Sequence, residues 1–145
     1  MKSFSFWRGW LVTVGSILTL FGLALVFFNQ SPLFDAVFNN HINPSFWPSG
    51  AISPDIVRFQ AWIYGVLGAT VAGWGAVVVF IARYPFHRRE SWARDSIAVG
   101  ISLWYLADTA VSLYFGVGFN AAFNTIVLIL VWVPLALTWK AFRSA

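Results

Sequence analysis

Residues 103–134, LWYLADTAVSLYFGVGFNAAFNTIVLILVWVP, are two apolar runs parted by the five residues GVGFN. A helix of about 20 apolar residues crosses the roughly 30 Å hydrocarbon core of a bilayer. A linker this short returns the chain alongside itself. The stretch therefore predicts an antiparallel hairpin of two spans, Ile97 to Phe115 and Ala121 to Trp139. One residue in it is charged, Asp108. A carboxylate at the centre of a span costs about 2.5–3.5 kcal/mol on insertion scales, so it is normally given a partner, a water-filled cavity or a task.

Working outward, two further runs, Trp10 to Phe28 and Phe59 to Ala82, bring the expected spans to four. Of the 145 residues 59% are hydrophobic and 10% charged, against about 25% charged in soluble domains, which excludes a soluble fold. The expectation is a single all-α membrane domain over residues 1–145, a four-transmembrane-helix bundle with one substantial loop at 29–57. The absence of cysteine excludes disulfides, thiol catalysis and thiolate metal sites. The first run exceeds the 7–15 residues of a signal-peptide core and lacks a small-residue exit, so it reads as an uncleaved span.

Basic residues set the orientation. With four spans, both termini and the 83–94 connection share a side that carries eight Lys or Arg, and the other side carries Arg58 alone. Positive charge concentrates on the cytoplasmic side, which places both termini there in an inner membrane. The net charge of +4 follows from this asymmetry and from contact with lipid headgroups. No nucleic-acid partner is needed to explain it.

Small residues mark the packing faces. Gly15, Thr19 and Gly22 share one face of the first span and predict close approach of another helix there. In the second span, Gly65, Ala69 and Gly73 form one row and Gly68, Ala72 and Ala76 a second beside it. Both rows are expected to pack within the bundle. The alternative is a homodimer or a membrane-protein partner meeting Gly65, Ala69 and Gly73.

In the loop, Pro32, Pro44, Pro48 and Pro54 forbid one continuous helix. SPLFDAVFNN opens on a Ser-Pro pair suited to a helix start, and predicts a short helix at the outer surface. Phe46 and Trp47, between prolines, form a stiff apolar turn that either anchors in headgroups or covers the bundle mouth. Ser53, Pro54 and Asp55 predict a capped start to the second span. Arg88, Arg89 and Arg94, with Glu90 and Asp95, read as a solvated basic turn, and Pro134 predicts a kink in the fourth span.

No metal-ligand spacing, nucleophile elbow or phosphate loop occurs, so no cofactor and no metal is expected. His41 and His87 are isolated, on opposite sides of the membrane. The candidate site is instead the polar centre around Asp108. Tyr105 and Ser112 share its helix face, and Asn120 and Asn124 share a face of the fourth span at similar depth. Gln60 and Tyr64 share a face of the second span, also within about one turn of that depth. Arg58 is the one base on that side with the reach to approach the carboxylate.

Three readings of Asp108 stay open at this point. It is a hydrogen-bonding group between helices, or part of an outer-leaflet pocket for an amphipathic ligand such as a lipid or quinone, or a carrier of protons or ions. The inner halves of the spans supply tryptophans and aliphatics and no relay. One carboxylate without a histidine or second acid is a poor general acid-base set. The expected function is that of a small binding or accessory protein of the membrane, with a small transporter or proton-conducting protein using Asp108 as the alternative.

The eight-to-one asymmetry yields a topological test. Cysteines placed at Ser3, Ser91 and Ser144 are expected to be protected from an impermeant thiol reagent in intact cells, and one at Ser49 to react. Labelling of the Ser91 position from outside would reverse the orientation.

Overall fold

The computed structural model describes residues 2–142. Arg143 and the labelling position Ser144 lie outside the described residues. Four helices are long and apolar enough to cross a membrane: α1 (Lys2–Phe28), α2 (Pro54–Arg83), α3 (Ser91–Tyr114) and α4 (Gly118–Thr138), the last continued by a 3-10 turn, Trp139–Phe142. The fold is an all-α, antiparallel four-helix bundle. The helices outrun the apolar runs that announce them, because backbone hydrogen bonding continues past the last residue that hydrocarbon can cover. Ser53 caps α2 by accepting from the Ile56 N–H, with Pro54 in the first turn. The bundle has a termini end, where the first and last described residues lie, and opposite it a loop end.

The closest helix contact is made by glycines. Gly15 and Gly22 on α1 face Gly68 and Gly75 on α2, each pair seven residues apart and so on one edge of its helix. A Cβ at Gly68 would lie 2.5 Å from the Gly22 carbonyl oxygen and 2.6 Å from the Leu25 Cβ. A Cβ at Gly75 would lie 2.6 Å from the Thr19 backbone nitrogen. Neither position admits a side chain, and the two backbones touch. The expected close-packing face at Gly15, Thr19 and Gly22 is therefore the α2 contact. Of the two rows on α2, Gly68 and Ala72 are buried in it. The row Gly65, Ala69, Gly73 packs against none of the described helices: Ala69 is exposed, and a Cβ at Gly65 or Gly73 meets nothing within 4 Å. Packing on both rows within the bundle is thus corrected to packing on one, since α2 has a single close neighbour.

From that contact the order across the bundle is α2, α1, α4, α3, with α3 and α2 only lightly in touch. The Trp74 and Trp104 rings, 6.0 Å apart, bridge the light side. Pro134 lies inside α4 and has no N–H to offer the carbonyl four residues back. That carbonyl, on Leu130, accepts instead from the Trp10 indole at 2.9 Å, so the broken helix bond becomes an α1–α4 link. Trp132 donates to Ser102 at 3.0 Å and ties α4 to α3.

The apolar core lies toward the termini end. Leu11, Phe86, Ile101, Val131 and Leu135 are all fully buried. Phe86 stacks on Phe4 at 5.6 Å and meets Phe142 edge-on at 4.8 Å. Arg94 departs from the solvated turn expected of it. It is 9% exposed, with its guanidinium 3.8 Å from the centre of the Trp139 ring and 2.7 Å from Asp95. A planar, weakly hydrated cation is stable on an aromatic face, and the first turn of α3 aims it inward. Arg88 stays exposed and pairs with Glu90 at 2.6 Å. That bond, together with one from Trp92, holds the Glu90 carboxyl below its ordinary range.

The loop end is closed by the segment between α1 and α2. It is helical from Pro32 to Ser45, capped by Ser31, with a π turn at Asp35–Asn39 and a 3-10 turn at its end. The short surface helix is present, but its aromatic side is driven into the bundle. Phe34 packs on Tyr64 of α2 at 5.2 Å, and Phe38 on Phe21 of α1 and Phe119 of α4 at 5.7 and 5.9 Å. The following turn is fastened to the α3–α4 hairpin, Ser45 donating to the Gly116 carbonyl at 3.2 Å and Phe46 lying 5.9 Å from Phe115.

The glycine contact predicts unequal costs for one methyl group. Gly22→Ala or Gly68→Ala should force the backbones apart and cost about 1–3 kcal/mol, as overpacking does. Gly73→Ala should be neutral or gain up to about 1 kcal/mol of helix propensity. Thermal unfolding in detergent measures both, and equal melting temperatures for Gly22→Ala and Gly73→Ala would contradict the contact.

Candidate functional site

Ile97, Ile101, Asp108 and Ser112 recur at helical spacing along α3 on the side that packs on α4, apolar toward the termini end and polar toward the loop end. The short turn at 115–117 brings Asn120 and Asn124, one turn apart on α4, opposite the polar pair. Asn120 and Asn124 donate to Asp108 Oδ1 at 2.7 and 2.8 Å. Ser112 donates to the same oxygen at 3.1 Å and to the Asp108 backbone carbonyl at 2.7 Å. Asn120 also donates to Ser112 Oγ at 2.8 Å, and Asn124 to Thr109 Oγ1 at 3.3 Å. One turn toward the termini end, Tyr105 and Thr125 pair at 3.4 Å.

Three donors thus converge on one carboxylate oxygen, which satisfies it without a counter-ion. Asn124 and Ser112 are buried, at 1% and 7% exposure, while Asp108 itself is half-buried. No described residue donates to its Oδ2. Chemically the cluster is a hydrogen-bonded clamp between two helices with one oxygen turned to the remaining open side.

Of the eight residues expected to meet, five do: Asp108, Ser112, Asn120, Asn124 and, one turn away, Tyr105. Arg58, Gln60 and Tyr64 do not. Arg58 is exposed, and the ion pairs among the described residues are Arg88–Glu90 and Arg94–Asp95. The cause is the glycine contact, which commits α2 to α1 and turns its polar face away from α3. Gln60 and Tyr64 do share a face, and what they face is the loop segment. Gln60 donates to Asn43 Oδ1 at 2.8 Å.

There they border a second polar site that sequence reasoning missed. A pocket of about 390 Å³ opens between the end of α1, the loop segment and the start of α2, lined by Asn29, Asp35, Asn39, Asn43, Gln60 and Tyr64 among others. Asn29 is buried and donates to the carbonyls of Leu25 and Ala61 at 2.7 and 3.2 Å, joining α1 to α2 at the pocket floor. Within the π turn, Asn39 donates to Asp35 Oδ1 at 2.6 Å. Beyond Gln60 and Tyr64, which it shares, lies a groove of about 550 Å³ with almost wholly apolar walls that include Phe46, Trp47, Phe59 and Ile63. The signal was present in the chain: Asn29, Gln30, Asn39, Asn40 and Asn43 put five amides in the 29–43 segment. The His41 ring stacks on Phe119 at 4.8 Å, and His87 hydrogen-bonds Arg8 at 2.8 Å.

The clamp predicts a split between two variants of one residue. Asp108→Asn keeps an acceptor oxygen and the side-chain shape, and should change stability little. Asp108→Leu strands the Asn124 and Asn120 donors and should cost about 1–3 kcal/mol. Unfolding in detergent gives the ranking, and a Leu variant more stable than the parent would reject the structural role.

Compared with protein-family models, curated proteins and solved structures, the chain matches none.

Proposed function

We propose that this chain is a small multi-pass protein of the inner membrane, with both termini cytoplasmic, that acts as a binding or accessory protein at its outer face. The observation that carries the reading is the division of the molecule into two chemical halves. Toward the termini end the core is apolar, built from residues such as Leu11, Phe86, Ile101, Val131 and Leu135. Toward the loop end, amides, hydroxyls and carboxylates gather beside pockets of ligand-binding size, about 300–1,000 Å³. Polar groups at one depth suit recognition of a molecule that is itself part polar and part apolar, such as a lipid or quinone. Catalysis is poorly supported, because the acid in the clamp has no second titratable group beside it.

Membrane lipids are the first partners. A second copy or another membrane protein is the further candidate, through the row Gly65, Ala69 and Gly73 that none of the described helices covers. The alternative function, a transporter or proton conductor using Asp108, draws support from one feature, the carboxylate oxygen Oδ2 that no described residue engages. Against it, the core interposes several turns of apolar side chain between that oxygen and the termini end.

Proton flux separates the two. Vesicles reconstituted with the protein and loaded with a pH-sensitive dye are expected to leak no faster than empty vesicles. Flux that appears with the protein and vanishes in Asp108→Asn would replace binding with transport.

A further inference from the structure

We infer that the amide-lined pocket at the loop end and the apolar groove beside it together form a site for one lipid of the outer leaflet, whose headgroup is neutral and hydroxylated, a glycosyl diacylglycerol in chemical class. The inference rests on the binding reading above and fixes its place, which is not the Asp108 clamp, and its ligand.

Two observations select the headgroup. The first is the hydrogen-bonding character of the walls. Each Asn or Gln amide offers both donors and an acceptor, as a sugar hydroxyl does, whereas a phosphate only accepts and an ammonium only donates. With the Asn29 N–H groups spent on Leu25 and Ala61 and the Asn39 amide held by Asp35, the amides at Gln30, Asn40, Asn43 and Gln60 match a ring of hydroxyls better than either ion. The second is charge. Asp35 lines the pocket and Asp55 the groove, and no Lys or Arg lines either, so a phosphate there would face carboxylates without a counter-ion. The pocket wall also carries a local irregularity. Asn39 belongs to the π turn, an irregularity that recurs at functional sites.

The tail is selected by the groove. It shares the Gln60 and Tyr64 wall with the pocket, so an occupant of both has its polar and apolar parts joined across that wall. Phe59, on the first turns of α2, is 60% exposed, and Trp47 beside it in the groove is of the residue type enriched at headgroup boundaries. A free sugar would leave the groove bare, and a simple acyl chain would leave the amides unused.

The test uses the full chain in phosphatidylcholine nanodiscs, with added monoglucosyl diacylglycerol, phosphatidylglycerol, a ubiquinone analogue or methyl glucoside, and bound molecules counted by native mass spectrometry. Saturable binding of one glucosyl lipid, about tenfold tighter than phosphatidylglycerol and the quinone, is expected. Methyl glucoside should bind at least about tenfold more weakly than the lipid. Gln60→Leu should weaken glucosyl-lipid binding about fivefold or more, and so should Asn40→Leu, a change at an exposed pocket residue that spares the fold. Preference for phosphatidylglycerol, for the quinone or for the tailless sugar would overturn the assignment of the ligand. Tight glucosyl-lipid binding untouched by both substitutions would overturn the location and leave the binding reading standing. No saturable binding of any amphiphile, with proton flux dependent on Asp108, would overturn both.

Discussion

Everything in this bundle is arranged around the contact of two backbones at Gly15, Gly22, Gly68 and Gly75. Between helices in hydrocarbon the hydrophobic effect supplies no attraction, because lipid tails are as apolar as leucine, and what remains is close packing and hydrogen bonding. Removing side chains from both edges lets α1 and α2 approach until main-chain atoms meet. The cost is directional, since a helix locked to one neighbour has little surface left for another. α2 accordingly only brushes α3, and the molecule is two hairpins joined through α1 and α4.

The second hairpin is held by different means. An interhelical hydrogen bond in a membrane averages about 0.6 kcal/mol and reaches about 1.7. Asn120 and Asn124 make two such bonds to Asp108. At the average value they sum to about 1.2 kcal/mol, under half of the roughly 2.5–3.5 kcal/mol that inserting the acid costs, and they match it only at the upper value. The clamp thus offsets part of its own burden and adds no net stability. Its effect is on geometry: sliding α3 against α4 by a turn would separate an acid from both its donors, so one register is selected. The indole of Trp10 on the Leu130 carbonyl does comparable service between α1 and α4, using a group that Pro134 had released.

These distinctions explain what the chain disclosed as a sequence. Asp108, Ser112, Asn120 and Asn124 were legible as a group because they lie within one hairpin, where a short linker and the 3.6-residue period fix depth and face together. Gln60, Tyr64 and Arg58 were placed at the right depth but toward the wrong neighbour, because periodicity does not reveal the order of helices around a bundle. For the same reason the small-residue rows of α2 were visible, yet nothing local said that Gly68 would be buried and Gly73 open. Arg94 was misread as solvated because its charge is written in the chain and its stacking partner Trp139, 45 residues later, is not. The amide-rich pocket escaped because its residues come from a loop whose path depends on where its phenylalanines dock.

That docking is the last step in the chain of causes. Phe34 and Phe38 form one row of the loop segment, four residues apart, and Asp35 and Asn39 form the adjacent row, also four apart. Burying the first row among Phe21, Tyr64, Phe119 and Phe123 fixes the angle of the second, which borders the pocket. The loop end is filled by rings because α1 and α2 close on each other so tightly that α4 stands off from α2 there. The polar wall is therefore a by-product of the aromatic plug, and the plug of the glycine contact. A pocket built this way is coupled to the closure of the bundle: any shift of Asp35 and Asn39 also pulls on Phe34 and Phe38, and loosening the plug would release the pocket. Local opening of such a segment needs far less free energy than unfolding the helices beneath it, so the pocket can open while the glycine contact stays shut.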